Sequence, residues 1–251
     1  MSNGLAWRIY RRFYDRLWDD QLTRAVGAAV VEHVPSATNV LEVGAGTGLC
    51  TSALLASGLS VIAAEPDEHM RAALGQRCPT ATITADRIDQ LDPAQRFDAV
   101  VAANVIHLTD DADAALSDLR SRCTPDGRVV VVTPHPGASI WRVCRAKRAV
   151  GVSRRQIARF IAFHAAFAPL LAARAAHRPF TADRPPDAVI GGVSSLFVYE
   201  ASTGGTDIRH LNMEDGIQGD LAELDEQSRG SRGDRARGGV GRGRRSVSDI
   251  T

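Results

Sequence analysis

The sequence is poor in cysteine, nearly neutral and without a long apolar run, and each shortage excludes something. Cys50, Cys78, Cys123 and Cys144 are widely spaced and form no C-x-x-C pair. Such spacing indicates neither a zinc site nor a disulfide framework, and buried reduced thiols are expected. No histidine pair has metal-ligand spacing, so no metal is expected. A formal net charge of +1 offers nucleic acid no overall attraction, and none is expected as a partner. The longest apolar stretch near the N-terminus, Ala25 to Val31, stops at Glu32. It is too short for a membrane span and has no charged leader before it, which makes the cytoplasm the expected location. What is there is ample: 251 residues, 44% of them apolar, suffice for one substantial α/β core.

Hydrophobic periodicity gives the order of elements. Leu5 to Val34 reads as one helix, with Trp7, Tyr10, Tyr14 and Leu17 or Trp18 on one face, ended by Pro35 and Ser36. Strands are expected at about 39–43, 60–64, 81–85, 97–102 and 127–133, with a turn at Pro125-Asp126-Gly127. Helices are expected at about 48–57, 66–76 and 110–122. Unalternating valine-rich runs suit parallel strands buried on both faces, so the pattern implies an α/β fold with a doubly wound, mostly parallel sheet. After Thr133 come helical stretches at 140–150 and 153–176, the second with an apolar stripe interrupted near Pro169. His164, on its Phe160/Phe167 face, reads as a packed or capping residue. A last strand is expected at 194–200, with 187–190 as its candidate partner. From Ala201 onward acids gather between Glu214 and Glu226, and Arg229 to Arg245 is rich in glycine and arginine. Segment 201–251 has too little to bury and is expected to be disordered, leaving 1–200 as the folded domain.

The most informative stretch is Val40-Leu41-Glu42-Val43-Gly44-Ala45-Gly46-Thr47-Gly48, after which a second apolar run closes at Glu65. An apolar run, a glycine loop, a helix and a second run ending in an acid make a βαβ unit that holds a nucleoside. A dinucleotide fingerprint would need its third glycine where Leu49 stands, and Glu42 sets a carboxylate just before the loop. That carboxylate repels a pyrophosphate. A donor carrying a cationic sulfonium and an α-ammonium tolerates or uses it.

These residues resemble the class I S-adenosylmethionine-dependent methyltransferases, whose first motif reads LEVGAGTG here. The resemblance spans roughly Tyr10 to Ala201 and implies a seven-stranded, Rossmann-like sheet with S-adenosyl-L-methionine as donor. It implies that Gly44, Ala45, Gly46, Thr47 and Gly48 meet the methionine part near Glu42. Glu65 would accept from both ribose hydroxyls, with Pro66 and Met70 beyond it. Asp86 would lie near the adenine amino group, with Arg87 and Ile88 flanking the ring, though Asp86 or Asp89 also reads as a helix cap. Ala103 and Asn104 would stand near the transferred methyl, and Tyr14 on a leading helix that closes over the donor.

Methyl transfer needs alignment and exclusion of water more than a strong base. For a hydroxyl acceptor a histidine helps, and His107 and His135, both beyond the carboxyl ends of strands, are the catalytic candidates. Capping or packing is the other reading of His107. Val105 and Ile106 stand where some amine methyltransferases continue with Pro-Pro-aromatic, which disfavours planar amines and amides. Segment 135–182, the place of the family's acceptor cover, contains no acid but carries Arg142, Arg145, Lys147, Arg148, Arg154, Arg155, Arg159, Arg174 and Arg178. It suits an anionic, glycosylated or lipid-linked acceptor or a membrane surface, against a plain solvated helix face. Tyr10, Trp141, Arg142 and Arg145 are the candidate acceptor contacts, with core packing the other reading of Tyr10 and Tyr14. The expected function is methylation of a small-molecule or glycan acceptor, oxygen favoured. One alternative is an NAD(P)-dependent oxidoreductase, against which Leu49, Glu42 and the lack of a Tyr-x-x-x-Lys pair count. The other is a non-catalytic subunit that keeps the donor fold.

Overall fold

The apolar runs form the centre of a seven-stranded sheet in a computed structural model that describes residues 5–109, 111–172 and 182–201. The expectations for 202–251, and for Arg174 and Arg178, lie outside the described residues. The strands are β1 (Asn39–Val43), β2 (Ser60–Ala64), β3 (Thr82–Thr84), β4 (Phe97–Ala103), β5 (Cys123–Pro134), β6 (Ala188–Ile190) and β7 (Ser194–Glu200). Their order is β3-β2-β1-β4-β5-β7-β6. β7 runs against both its neighbours, and every other pair is parallel. This is the expected α/β architecture.

Successive side chains of a strand serve opposite faces, so an unbroken apolar run requires cover on both. Val40, Val101, Val130 and Val132 pack on one side with Val26, Val30, Leu54 and Leu74. Those partners come from α2 (Gln21–Glu32), α3 (Leu49–Ala56) and α4 (Glu68–Arg77). Leu41, Val100, Val129 and Val131 pack on the other side with Leu119 of α5 (Ala112–Ser121). Two further helices, α6 (Ile140–Ala149) and α7 (Arg154–Ala172), follow β5, and α7 packs against α1 (Leu5–Trp18). Among the described residues no helix is long and apolar enough to cross a membrane. All four cysteines are free and buried, as expected.

The leading helix is two helices, not one. Asp20 is fully extended and its carboxylate accepts from the N–H groups of Leu22 and Thr23, so it caps α2 and ends the continuity with α1. β5 begins earlier than the turn at 125–127 suggests. Its pairing with β4 jumps from Phe97 with Cys123 to Ala99 with Arg128, so the expected turn is an excursion within a longer strand. α7 runs on through Pro169 to Ala172, with one backbone donor forgone rather than the helix broken.

Candidate active site

In a doubly wound sheet the first and fourth strands send their connections in opposite directions, which opens a crevice at their carboxyl ends. The glycine loop forms one lip. The N–H groups of Gly44 and Ala45 donate to the Ala64 carbonyl at 2.8 and 3.1 Å, tying the loop to the end of β2. Gly44 takes φ +68°, and a Cβ there would stand 2.6 Å from Cγ2 of Val105. Val105 follows β4, so the two lips meet through a contact that only glycine permits. Gly48 takes φ +83°, where a Cβ would stand 2.7 Å from Cδ1 of Leu74 on α4.

Two carboxylates flank this loop. Glu65 is 7% exposed. Its Oε2 accepts from the Gly46 N–H and its Oε1 from the Asp67 N–H, both at 2.8 Å. Burial raises its pKa, partly offset by those two donors. Glu42 is 1% exposed and accepts from the Thr51 hydroxyl at 2.5 Å and from the Cys50 thiol. Burial pushes its carboxyl up to about 7. Tyr14 bears on the same acids: burial first, then Tyr10, Asp15, Glu65 and Glu42, raise its phenol well above the usual value.

α1 is fastened across this loop by contacts that the sequence did not reveal. The Thr47 hydroxyl donates to Asp15 at 2.5 Å, and Arg77 of α4 pairs with Asp15 and Asp19 at 2.8 and 3.1 Å. Asp67 caps α4 through the N–H groups of His69 and Met70, and also accepts from Trp7 at 2.8 Å and Arg11 at 2.7 Å. Burial works against the Asp67 charge, but Trp7, the Met70 N–H and Arg11 outweigh it and hold its pKa down. The helix expected at about 66–76 opens with Pro66-Asp67, which is the one sequence cue to this cluster.

The other expected residues fall as follows. Pro66 is exposed and Met70 buried. Asp86 and Arg87 are exposed just beyond β3, beside Glu65, whose N–H donates to Thr84 at 3.0 Å. Asp86 accepts from the Thr84 hydroxyl at 2.5 Å, and Arg87 pairs with Asp89 at 3.4 Å. The cap of the short turn at Ile88–Gln90 is Arg87, so neither acid plays that part. Ala103 ends β4, and Asn104 takes φ +57° while its N–H donates to Val132 at 2.8 Å. A non-glycine residue held left-handed at the crevice is strained, and asparagine bears it better than most. His107 is half-buried in the turn Ile106–Leu108. His135 lies at the end of β5 with Nδ1 2.8 Å from the hydroxyl of buried Ser195.

Two of the acceptor candidates, Tyr10 and Trp141, are not among the residues that line the cleft bordered by Arg142 and Arg145. Tyr10 is built into an aromatic cluster between α1 and α7: its hydroxyl accepts from Trp18 at 2.6 Å and its ring lies 6.0 Å from that of Phe163. Trp141 is 71% exposed and does not line the cleft that Arg142 and Arg145 border. Consecutive helical residues point about 100° apart, so a wall made by Arg142 turns Trp141 outward. His164 packs on Phe160, with ring centroids 4.1 Å apart, and burial lowers its pKa. Lys147 departs from a solvated basic face. It is 1% exposed, pairs with Asp20, donates to the Leu17 carbonyl at 2.8 Å and lies over the rings of Trp18 and Phe160.

Residues 41–129 match the family model of a methyltransferase domain. An uncharacterized methyltransferase of Bacillus cytotoxicus is 30% identical over 120 residues, which is 47% of this chain and 51% of that protein. A ubiquinone biosynthesis O-methyltransferase of Bradyrhizobium diazoefficiens is 30% identical over 98 residues, 38% of this chain and 39% of that one. The solved structure of S-adenosylmethionine-bound CalS10, an amino pentose methyltransferase from Micromonospora echinaspora, aligns with a TM-score of 0.43 at 20% identity. That alignment covers 54% of this chain and 65% of the other. The chain thus spans about half or less of the length of these curated relatives. Residues 41–129, which carry the glycine loop and the first crossover, are thus similar to a methyltransferase domain, and the strand order is the one expected for the class I S-adenosylmethionine-dependent fold.

Proposed function

We propose that the protein moves a methyl group from S-adenosylmethionine to a small-molecule or glycan acceptor, with oxygen favoured over nitrogen or carbon. The observation that carries this reading is the pair of buried acids, Glu42 and Glu65, on either side of a glycine loop closed by α1. Acids so placed suit a cationic donor and oppose a pyrophosphate. The donor supplies a methyl carbon already bonded to a good sulfur leaving group.

The chain's own residues bind, orient and exclude water. Glu65 exchanges its backbone partners at Gly46 and Asp67 for the two ribose hydroxyls, a charged acceptor being the stronger one in a half-dry site. Glu42 faces the α-ammonium from beneath the loop, Asp86 takes the adenine amino group, and Tyr14 covers the site from α1. The acceptor oxygen forms its bond to carbon as the carbon–sulfur bond breaks and sulfur keeps the electron pair. The hydroxyl proton passes to His135 or His107. Alignment within a closed site supplies most of the rate.

Titration calorimetry tests the donor half. Micromolar binding of S-adenosylmethionine or its demethylated product, with no NADH binding and a loss of about tenfold or more in Glu65→Ala, is the expected result. No binding of either nucleoside would sink the reading. Labelled donor added to a cell extract with the protein then shows whether and where methyl is transferred.

A further inference from the structure

A cleft of about 360 Å³ lies between α6 and the turn that joins β6 to β7, lined by Arg142, Arg145, Ala146, Ala149, Gly191 and Gly192. Arg142 and Arg145 are three residues apart, so both guanidinium groups project from one side of α6. Both are exposed, and neither joins an ion pair among the described residues. Lys147 on the same helix shows the opposite case, buried and paired with Asp20. The facing wall is bare backbone: Gly191 and Gly192 take φ +59° and +69°, and nothing stands within 4 Å of where a Gly192 Cβ would be. No acid occurs between His135 and Ala182 to neutralise this wall from within the segment. The cleft also adjoins the candidate base. A Cβ on Gly137 would stand 2.8 Å from Nη1 of Arg142 and 3.7 Å from Cδ2 of His135, so guanidinium and imidazole flank the same glycine.

We propose that this cleft binds a phosphate group of a soluble acceptor, gripped by Arg142 and Arg145, with the remainder of the acceptor reaching toward His135. The proposal rests on the acceptor reading above and names the acceptor's chemical class. Two planar guanidinium forks on one wall exceed what a single carboxylate can satisfy, whereas a phosphate ester offers several terminal oxygens and up to two charges. The volume suits a small phosphorylated molecule rather than a bare ion.

Inorganic pyrophosphate titrated into the full-length protein, followed by calorimetry, tests the cleft without any donor present. Saturable binding that weakens about tenfold or more in Arg142→Ala and in Arg145→Glu, and weakens further with salt, is expected. Arg148→Ala on α6 and Arg155→Ala on α7, both exposed and outside the cleft, should leave it unchanged. Absence of saturable binding, or equal loss in all four variants, overturns the proposal. Co-sedimentation with phosphatidylglycerol vesicles that needs Arg142 and Arg145, without pyrophosphate binding, overturns it in favour of a lipid headgroup. Donor affinity measured on the same variants stays at the wild-type value, so failure of the cleft and failure of the methyltransferase reading are told apart.

Discussion

The hydroxyl of Thr51 donates to Oε2 of Glu42 at 2.5 Å, so the carboxylate of β1 is held by the first turn of α3, beneath the loop rather than in it. Burial leaves that carboxyl with a pKa of about 7 against an ordinary 4.5. The folded state therefore holds a proton that the unfolded chain has lost between those two values. Stability due to this group is full below about pH 4.5, falls as pH rises to about 7 and stays low above it. Glu42→Gln should abolish that slope, worth about 3 kcal/mol. Urea unfolding of both proteins at pH 5 and pH 8 measures it, and parallel pH dependence in the two would refute the assignment. The same variant should bind the cationic donor more weakly at pH 8, where Glu42 is charged.

Gly44→Ala sets a Cβ 2.6 Å from Val105 on a backbone at φ +68°. Both faults act at once, and destabilisation of about 1–3 kcal/mol is expected. Val105→Ala in the same chain relieves the clash but not the dihedral, so it should recover only part of the loss. Thermal unfolding reads the stability and calorimetry the donor affinity, which the single variant should lower sharply. Full recovery in the double variant would show that the left-handed backbone is unstrained.

The glycine loop and its two flanking acids were legible because they are local in sequence. Glu42, the glycines and Glu65 fall within one βαβ unit, so residue type and spacing alone place them together. The fastening of α1 was not legible, since Thr47 and Asp15 are 32 residues apart and Trp7 and Asp67 are 60 apart. An aromatic or acidic residue on a helix face does not announce a partner at that distance. The break at Asp19-Asp20 was readable in principle as a cap, but the apolar period ran on through it and prevailed. The place of Trp141 was not legible for a related reason: composition singles out the basic segment, and only the helix phase reveals which of its residues border the cleft.

Lys147 and Asp20 fasten α6 to the junction of α1 and α2 in a dry setting. Lys147→Met keeps the length and the ring contacts but leaves Asp20 charged without its partner. A loss of about 3–5 kcal/mol is expected. Asp20→Asn keeps a capping oxygen and removes the charge, so the double variant should regain a large part of that loss. Chemical denaturation of the four proteins gives the coupling directly. Additive losses would show that the two groups act independently.

Ser195 and His135 form the last pair whose function is open to test. Nδ1 of His135 is engaged by the Ser195 hydroxyl, and the backbone N–H of His135 donates to Val193 at 2.8 Å. In the tautomer whose Nδ1–H donates to the Ser195 hydroxyl, Nε2 is the nitrogen that can take the proton of an acceptor hydroxyl, which would make Ser195 a positioning residue. His135→Asn should slow transfer of label about 100-fold, the lower end of what general-base catalysis supplies. Ser195→Ala leaves the imidazole in place but unanchored, and about a tenfold fall in kcat with the donor Kd unchanged is expected. A fall confined to donor affinity would assign Ser195 to packing alone. An unchanged rate in His135→Asn would remove His135 from the proton's path and leave His107 as the histidine at the crevice to be tested next.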